Sequence, residues 1–278
     1  MRAVLCLLFL AMALPSFAAE EVSIPNSENG RSLPLPGVLH KPGGAGPFPA
    51  VVMLVGYGGY AGGGPNADHQ SAWAGKLVEW GYVALQVDSY SPRGPALNPD
   101  YAGSLTISRD AFAAKSYLSA LPYVDPENIA IVGWSMGGTA ALKVIDAHFR
   151  QEGMIPFQAA VAFYPVSYPV YKPDTPLLIL IGDKDGICKP ESSILLAKKY
   201  EEKGWKPAMT LVVYPGAGHA FDLEGIDLMW SGHHLKYDPQ AAADATERTR
   251  DFLAMHLAAS PLPTACRAQA GSRPPASR

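Results

Sequence analysis

Residues 129–138, IAIVGWSMGG, join an apolar run to a tight turn rich in glycine. Residues 129–132 have the continuous apolar character of a short strand buried on both faces, and a helical pattern covers residues 139–149. A strand that turns this sharply into a helix leaves the residue at the centre of the turn, Ser135, projecting from the sheet edge. The stretch therefore predicts a parallel sheet with a strained serine at its carboxyl end.

Similar apolar runs alternate with helical patterns along most of the chain. Further strands are predicted at residues 50–55, 82–87, 159–163, 176–181 and 209–214, and further helices at residues 71–80, 105–121, 191–203 and 239–257. Residues 21–40 are predicted to form extended segments. This alternation predicts a mainly parallel, doubly wound α/β sheet flanked by helices, in one domain of residues 19–258.

The two ends of the chain differ in composition from the predicted domain. Residues 1–18 contain one positive charge, an apolar run and small residues before a potential cut after Ala18, which is the pattern of a secretory signal peptide. The run is shorter than a membrane span requires; a retained anchor is the alternative. We therefore expect an exported protein, periplasmic or secreted, without stable membrane insertion after cleavage. Residues 259–278 are predicted to form a flexible tail.

Composition argues against several other classes of function. The formal net charge is −3 and basic residues form no stripe, so nucleic acid is not an expected partner. Residues 62–64 lack the Lys-Ser/Thr ending of a phosphate loop, and the adjacent His233 and His234 are expected to be loop residues rather than metal ligands. Neither a metal nor a cofactor is predicted.

Two cysteines remain once the signal peptide is removed. Cys188 and Cys266 lie far apart in the chain, and no C-x-x-C pattern is present. An oxidising compartment would allow them to form a disulfide. The alternative is two free thiols, with Cys188 packed as a small apolar residue.

Ser135 becomes a nucleophile only if a base removes its proton, and the pattern around it places an acid and then a histidine later in the chain. Among the seven histidines, His219 alone follows a late predicted strand through a loop of small residues, 215–218. The acid follows an earlier strand, where Asp183 and Asp185 compete. Asp185 lies deeper in its loop and is favoured, which leaves Asp183 to cap backbone amides of the turn.

The developing oxyanion needs backbone donors near the serine. The amide of Met136, directly after Ser135, is one candidate, and the amide of Tyr57 in the glycine-rich loop after residues 50–55 is the other. The alternative is that these glycines only form a tight turn. Tyr60 and Trp134 are candidates for lining a substrate pocket, although such aromatic residues are equally consistent with a core.

Residues 35–257 resemble the dienelactone hydrolase family, which has the α/β-hydrolase fold. The resemblance rests on residues 49–54 with the glycine-rich loop, on residues 81–90, on residues 133–138, on residues 182–185, on residues 216–221 and on residues 237–242. It implies a triad of Ser135, Asp185 and His219, and a small ester or lactone as substrate.

The chain departs from the family pattern at three places. Ser135 stands where the founding members carry a cysteine nucleophile, and Val55 precedes Gly56 where many relatives have histidine. Founding members also hold a substrate carboxylate with two arginines; Arg93 matches one of them, but Leu223 stands at the other position. The resemblance thus suggests that Arg93 binds a charged substrate, and the alternative is a local ion pair.

The sequence as a whole predicts a carboxylic-ester hydrolase that works through a seryl acyl-enzyme. A hydrolase of small peptides or amides with the same fold is one alternative. A non-catalytic binding protein on this fold is the other, although such a protein would usually have lost part of the triad.

Overall fold

The computed structural model describes residues 19–59, 64–94, 101–150 and 154–257. Its helices are α1 (Pro65–Glu79), α2 (Tyr101–Ser119), α3 (Met136–Val144), α4 (Pro190–Lys203) and α5 (Pro239–His256). Its strands are β1 (Ala19–Ile24), β2 (Ser27–Glu28), β3 (Arg31–Ser32), β4 (Leu35–His40), β5 (Phe48–Leu54), β6 (Val83–Val87), β7 (Val124–Trp134), β8 (Ala160–Phe163), β9 (Leu177–Gly182), β10 (Met209–Tyr214), β11 (Asp227–Trp230) and β12 (His233–Lys236). The predicted signal peptide and tail lie outside the described residues.

Eight strands form the central sheet in the order β1-β4-β6-β5-β7-β8-β9-β10. Strand β4 runs antiparallel to both of its neighbours, and every pairing from β6 across to β10 is parallel. All residues of β6, β8 and β9 are buried, because the sheet is covered on both faces. The α/β-hydrolase fold predicted from the sequence is therefore confirmed.

Parallel strands end at the same edge of the sheet, and this topology gathers the loops of interest. The turn after β7 carries Ser135, the loop after β9 carries Asp185, and the loop after β10 carries His219. The glycine-rich loop after β5 lies beside the turn after β7, since β5 and β7 are neighbours. Ligand sites of open α/β sheets lie at this carboxyl edge.

Helix α3 was predicted over residues 139–149, but it begins at Met136 and ends at Val144. The buried carboxylate of Asp146 explains the early end. It accepts hydrogen bonds from the backbone amides of His148, Tyr171 and Lys172, at 3.0, 2.7 and 2.9 Å. These bonds hold the residues after α3 in an irregular conformation and connect them to residues 171–172.

His233 and His234 were expected in a loop, and that expectation is wrong. They begin β12, which pairs antiparallel with β11 in a separate two-stranded hairpin. Successive strand residues point to opposite faces, so the two rings diverge. His234 Nε2 lies 2.7 Å from Asp227 Oδ1 across the hairpin.

Among the described helices, none has the length and apolarity needed to cross a bilayer.

Candidate active site

Ser135 occupies the turn between β7 and α3 in a strained conformation, with φ 53° and ψ −112°. Such a positive φ is costly for a residue with a side chain and persists only where the surroundings enforce it. A Cβ on Gly133 would overlap the backbone of Gly137, and a Cβ on Gly137 would overlap the backbone carbonyl of Leu54. The two flanking glycines therefore allow the close approach that pushes the serine out of the sheet.

The imidazole of His219 lies between Ser135 and Asp185. Its Nε2 is 3.0 Å from Ser135 Oγ, and its Nδ1 is 2.8 Å from Asp185 Oδ2. The ring is buried, with 7% of the residue exposed. The structure thus brings together the three side chains that the sequence singled out, with the imidazole between the serine hydroxyl and the carboxylate.

The two candidate acids are placed differently by their loop. Asp185 is buried, and its Oδ1 accepts the backbone amides of Ile187 and Cys188 at 2.9 and 2.8 Å. Asp183 is exposed, and its Oδ1 accepts the amide of Gly216 at 2.7 Å. Asp183 therefore ties the acid loop to the histidine loop, and Asp185 is the carboxylate that reaches the imidazole.

The two residues whose amides are predicted to donate to an oxyanion, Met136 and Tyr57, lie in segments close to Ser135. Met136 is the first residue of α3, and the first amides of a helix have no acceptor within the helix. A Cβ built on Gly56 would lie 3.3 Å from the Cβ of Ser135, so the loop after β5 passes next to this serine. Tyr57 follows Gly56 in this loop, and its ring packs edge-on against Tyr90.

A cavity of about 460 Å³ opens above Ser135 and His219. Its wall is largely aromatic and aliphatic and includes Val55, Tyr57, Trp134, Met136, Tyr164, Val166, Tyr168, Ile187, Leu223, Ile226, Trp230 and Leu235. Among the described residues that line it, none is a lysine, arginine, aspartate or glutamate. The cavity is therefore suited to an uncharged, mainly apolar molecule.

The expectation that Arg93 reaches this cavity is wrong. Its guanidinium forms a two-pronged pair with Asp110, at 2.8 and 2.9 Å, and its Nε donates to Glu28 at 3.1 Å. Its Nη1 also donates to the carbonyl of Ser89. These partners occupy the donors that a substrate carboxylate would need, so the local ion pair is the observed arrangement.

Trp134 and Tyr60 are the other two residues that the sequence predicted to line a substrate pocket. Trp134 lines the cavity but is 2% exposed, and its indole N–H is directed to Asp222 rather than to the open space. Tyr60 lies outside the described residues. Within the described residues, no group of three potential ligands is close enough to hold a metal ion.

Sequence reasoning missed a buried carboxylate beside the site. Asp222 accepts four hydrogen bonds, from His69 Nε2 at 2.9 Å, Trp73 Nε1 at 3.2 Å, Trp134 Nε1 at 3.0 Å and Tyr164 OH at 2.8 Å. Burial by itself would raise the pKa of Asp222, but the interactions with His69, Tyr164 and Trp134 outweigh it and hold that pKa below its usual range. We name these five residues the Asp222 cluster.

The Asp222 cluster packs next to both Ser135 and His219. Trp134 directly precedes Ser135, and the ring of Tyr164 packs on the ring of His219 with centroids 4.6 Å apart. Burial raises the pKa of Tyr164 well above its usual value, so the phenol keeps its proton and donates to Asp222. The only signal in the sequence was the position of Asp222, three residues after His219 in the same loop.

Cys188 is buried in the cavity wall beside the acid loop. Burial raises the pKa of its thiol, which keeps it protonated and unreactive. Cys266 lies outside the described residues, so a disulfide between the two stays a prediction. Mass spectrometry of the unreduced protein tests it, and two thiols that react with an alkylating agent would contradict it.

Comparison with known proteins gives curated relatives of similar length, among them a probable lactonase. The chain is 28% identical over 200 residues to a probable 2-oxo-3-(5-oxofuran-2-ylidene)propanoate lactonase of Bradyrhizobium sp, an alignment that covers 65% of this chain and 75% of that protein.

Solved structures share the fold at low sequence identity. An esterase from Thermogutta terrifontis aligns with a TM-score of 0.64 at 20% identity, over 87% of this chain and 96% of its own. A dienelactone hydrolase-like promiscuous phosphotriesterase from metagenomic libraries aligns with a TM-score of 0.65 at 20% identity, over 87% and 99% of the two chains. Residues 35–257 match the sequence model of the dienelactone hydrolase family. The chain belongs to the dienelactone hydrolase family, as its sequence motifs predicted.

Proposed function

We propose that the protein hydrolyses carboxylic esters or lactones through a seryl acyl-enzyme, with Ser135, His219 and Asp185 as its triad. The observation that carries the proposal is the hydrogen-bonded series from Ser135 Oγ through His219 to Asp185, which opens on the apolar cavity. Family membership and the name of the lactonase relative support the same class of reaction.

Each group has a defined task in this proposal. His219 Nε2 takes the proton of Ser135 Oγ as that oxygen attacks the ester carbonyl, and Asp185 stabilises the imidazolium that forms. The amides of Tyr57 and Met136 donate to the oxyanion; such a donor typically contributes about 3 kcal/mol to the transition state. His219 then returns the proton to the leaving alcohol, and a water molecule hydrolyses the acyl-enzyme by the same steps in reverse.

The cavity wall favours an uncharged substrate over a carboxylate-bearing one. Among the described lining residues there is no lysine or arginine, and Arg93 is held by Asp110 and Glu28. The carboxylate preference that the resemblance suggested is therefore not part of this proposal. A peptide with a free amino terminus would similarly find no carboxylate among those residues, which favours esters over the peptidase alternative.

Two measurements test the proposal. A fluorophosphonate probe should label the wild-type protein at Ser135 and leave Ser135→Ala unlabelled. Purified protein should hydrolyse p-nitrophenyl acetate well in excess of an aminoacyl anilide. An unlabelled protein would point to a binding function, and faster turnover of the anilide would point to a peptidase.

We also propose that the protein is exported and cut after Ala18. The composition of residues 1–18 supports this. The described residues of strand β1, Ala19–Ile24, all follow this cut, so the mature chain would keep them. Intact-mass analysis of protein from the cell envelope or medium should give a chain that starts at Ala19; recovery of the full-length chain from the cytoplasm would contradict export.

A further inference from the structure

The hairpin of β11 and β12 carries three consecutive large apolar side chains with substantial exposure. Leu228, Met229 and Trp230 are 46%, 65% and 45% exposed. Exposure of consecutive apolar side chains to water is unfavourable. A contiguous patch of this kind is typical of a surface that binds an apolar partner. The hairpin therefore needs an explanation beyond the stability of the domain.

The two faces of the hairpin differ in what they contact. In its register Leu228 is opposite Leu235 and Trp230 is opposite His233, and paired residues of antiparallel strands share a face. Leu235 and Trp230 line the cavity, so this face is directed to the site. Met229 belongs to the opposite face, which also carries the ion pair between Asp227 and His234.

Trp230 marks the rim of the cavity. Leu235 is 9% exposed and lies within the wall, whereas Trp230 lines the same cavity and remains nearly half exposed. Ile226, directly before the hairpin, is a third lining residue. These side chains form an apolar path that leads from the space above Ser135 to the surface of the protein.

The hairpin is also held against the loops that carry the acid and the base. The ring of His233 lies so close to Gly186, next to Asp185, that a Cβ there would overlap it. A Cβ on Gly218, next to His219, would lie 3.2 Å from the carbonyl oxygen of His234. The apolar path therefore has a fixed position relative to the reacting groups.

We propose that the β11–β12 hairpin binds the hydrocarbon chain of an uncharged ester whose carbonyl lies at Ser135. The inference rests on the proposed function and specifies its substrate class. An apolar path that extends past the cavity rewards each added methylene group, whereas a closed pocket would reject long chains. Full burial of one methylene strengthens binding about fourfold, so partial burial predicts about two- to fourfold per carbon.

The hydrocarbon chain that binds to the hairpin belongs either to the acyl group or to the alcohol group of the ester. Two series of substrates distinguish these two possibilities. One series is p-nitrophenyl acetate, butyrate, hexanoate and octanoate; the other is ethyl, butyl, hexyl and octyl acetate. All are used as dissolved monomers. We expect kcat/KM to rise by about tenfold or more between the four-carbon and eight-carbon members of one series.

Variants of Trp230 test whether the hairpin causes that rise. Trp230→Ser should lower the ratio of eight-carbon to two-carbon kcat/KM by about fivefold or more, because it removes a large apolar contact surface at the rim. Trp230→Leu should retain most of the ratio. The matched controls are Met229→Ser, on the opposite face of the hairpin, and Met255→Ser, an exposed methionine on α5. Both controls should keep the wild-type dependence on chain length.

The outcomes separate this inference from the proposed function. A flat or falling profile in both series, with hydrolysis that still depends on Ser135, overturns the role of the hairpin alone. A profile that rises equally in wild type and Trp230→Ser does the same, provided that circular dichroism shows a folded variant. If Trp230→Ser is not folded, Trp230→Gln takes its place. Failure to hydrolyse any ester overturns the proposed function instead.

Discussion

Ser135 has a positive φ that is costly for a residue with a side chain, and it is the nucleophile in our proposal. Ser135→Ala should lower ester hydrolysis by about 10⁴-fold or more and leave the protein folded. His219→Ala should have a similar effect. The double variant should be little worse than either single one, because the two side chains act as one unit. Steady-state kinetics on highly purified variants measures all three.

The two aspartates of the loop after β9 provide an internal comparison. Asp185→Asn should reduce kcat far more than Asp183→Asn, because only Asp185 contacts the imidazole, whereas Asp183 accepts the amide of Gly216. Asp183→Asn keeps an acceptor for that amide and serves as the matched control. The reverse order of the two losses would assign the acid to Asp183.

Local signals in the sequence were enough to find these residues, because each follows a predicted strand that ends at the same edge of the sheet. Arg93 could not be placed in that way. Its partners Asp110 and Glu28 lie 17 and 65 residues away, and no spacing rule relates them. The sequence was enough for side chains whose place is set by the strand that precedes them. It was not enough for Arg93, whose place is set by contacts with distant parts of the chain.

Helix α5 shows an element whose start is set by one residue. Asp238 precedes Pro239, and its Oδ1 accepts the amides of Gln240 and Ala241 at 3.1 and 3.0 Å. Asp238→Ala should lower the free energy of unfolding by about 1 kcal/mol, since it leaves those amides without their acceptor. Urea denaturation measures the change. Glu247→Ala, an exposed site on the same helix, is the control and should change it by less than about 0.5 kcal/mol.

The start of α5 was predicted from the sequence, whereas the β11–β12 hairpin was not. The cap residue and the proline after it are a local pattern. The hairpin strands have only four residues each, mix exposed apolar and charged side chains, and pack on loops rather than on the sheet. Their pairing depends on contacts with the acid and histidine loops, which no periodicity in the sequence records.

The Asp222 cluster joins parts of the molecule that are far apart in the chain, since its donors come from α1, from the end of β7 and from the residue after β8. Asp222→Ala should lower the free energy of unfolding by about 3–5 kcal/mol at neutral pH, because several buried donors lose their acceptor. The exposed Asp227, paired with exposed His234, provides the control. Asp227→Ala should change the free energy of unfolding far less than Asp222→Ala, because solvent screens an exposed ion pair.

The effect of Asp222→Ala should also depend on pH. The pKa of Asp222 is held below its usual value, so the carboxylate stabilises the folded state at pH values above the unfolded-state pKa of about 3.9. That contribution is lost as the pH falls through the lower, folded-state pKa. Denaturation curves of wild type and variant should therefore converge in acid; a difference that stays constant down to low pH would contradict the assigned charge.

The convergence of four donors on Asp222 also constrains how this protein can change over evolutionary time. Loss of the carboxylate alone leaves its buried donors without an acceptor. Loss of one donor alone reduces the stabilisation of the buried negative charge. Apolar replacement of the whole set, by contrast, is close to neutral in energy. His69, Trp73, Trp134, Tyr164 and Asp222 should therefore be inherited together, and lineages that have abandoned one should have abandoned most of the others.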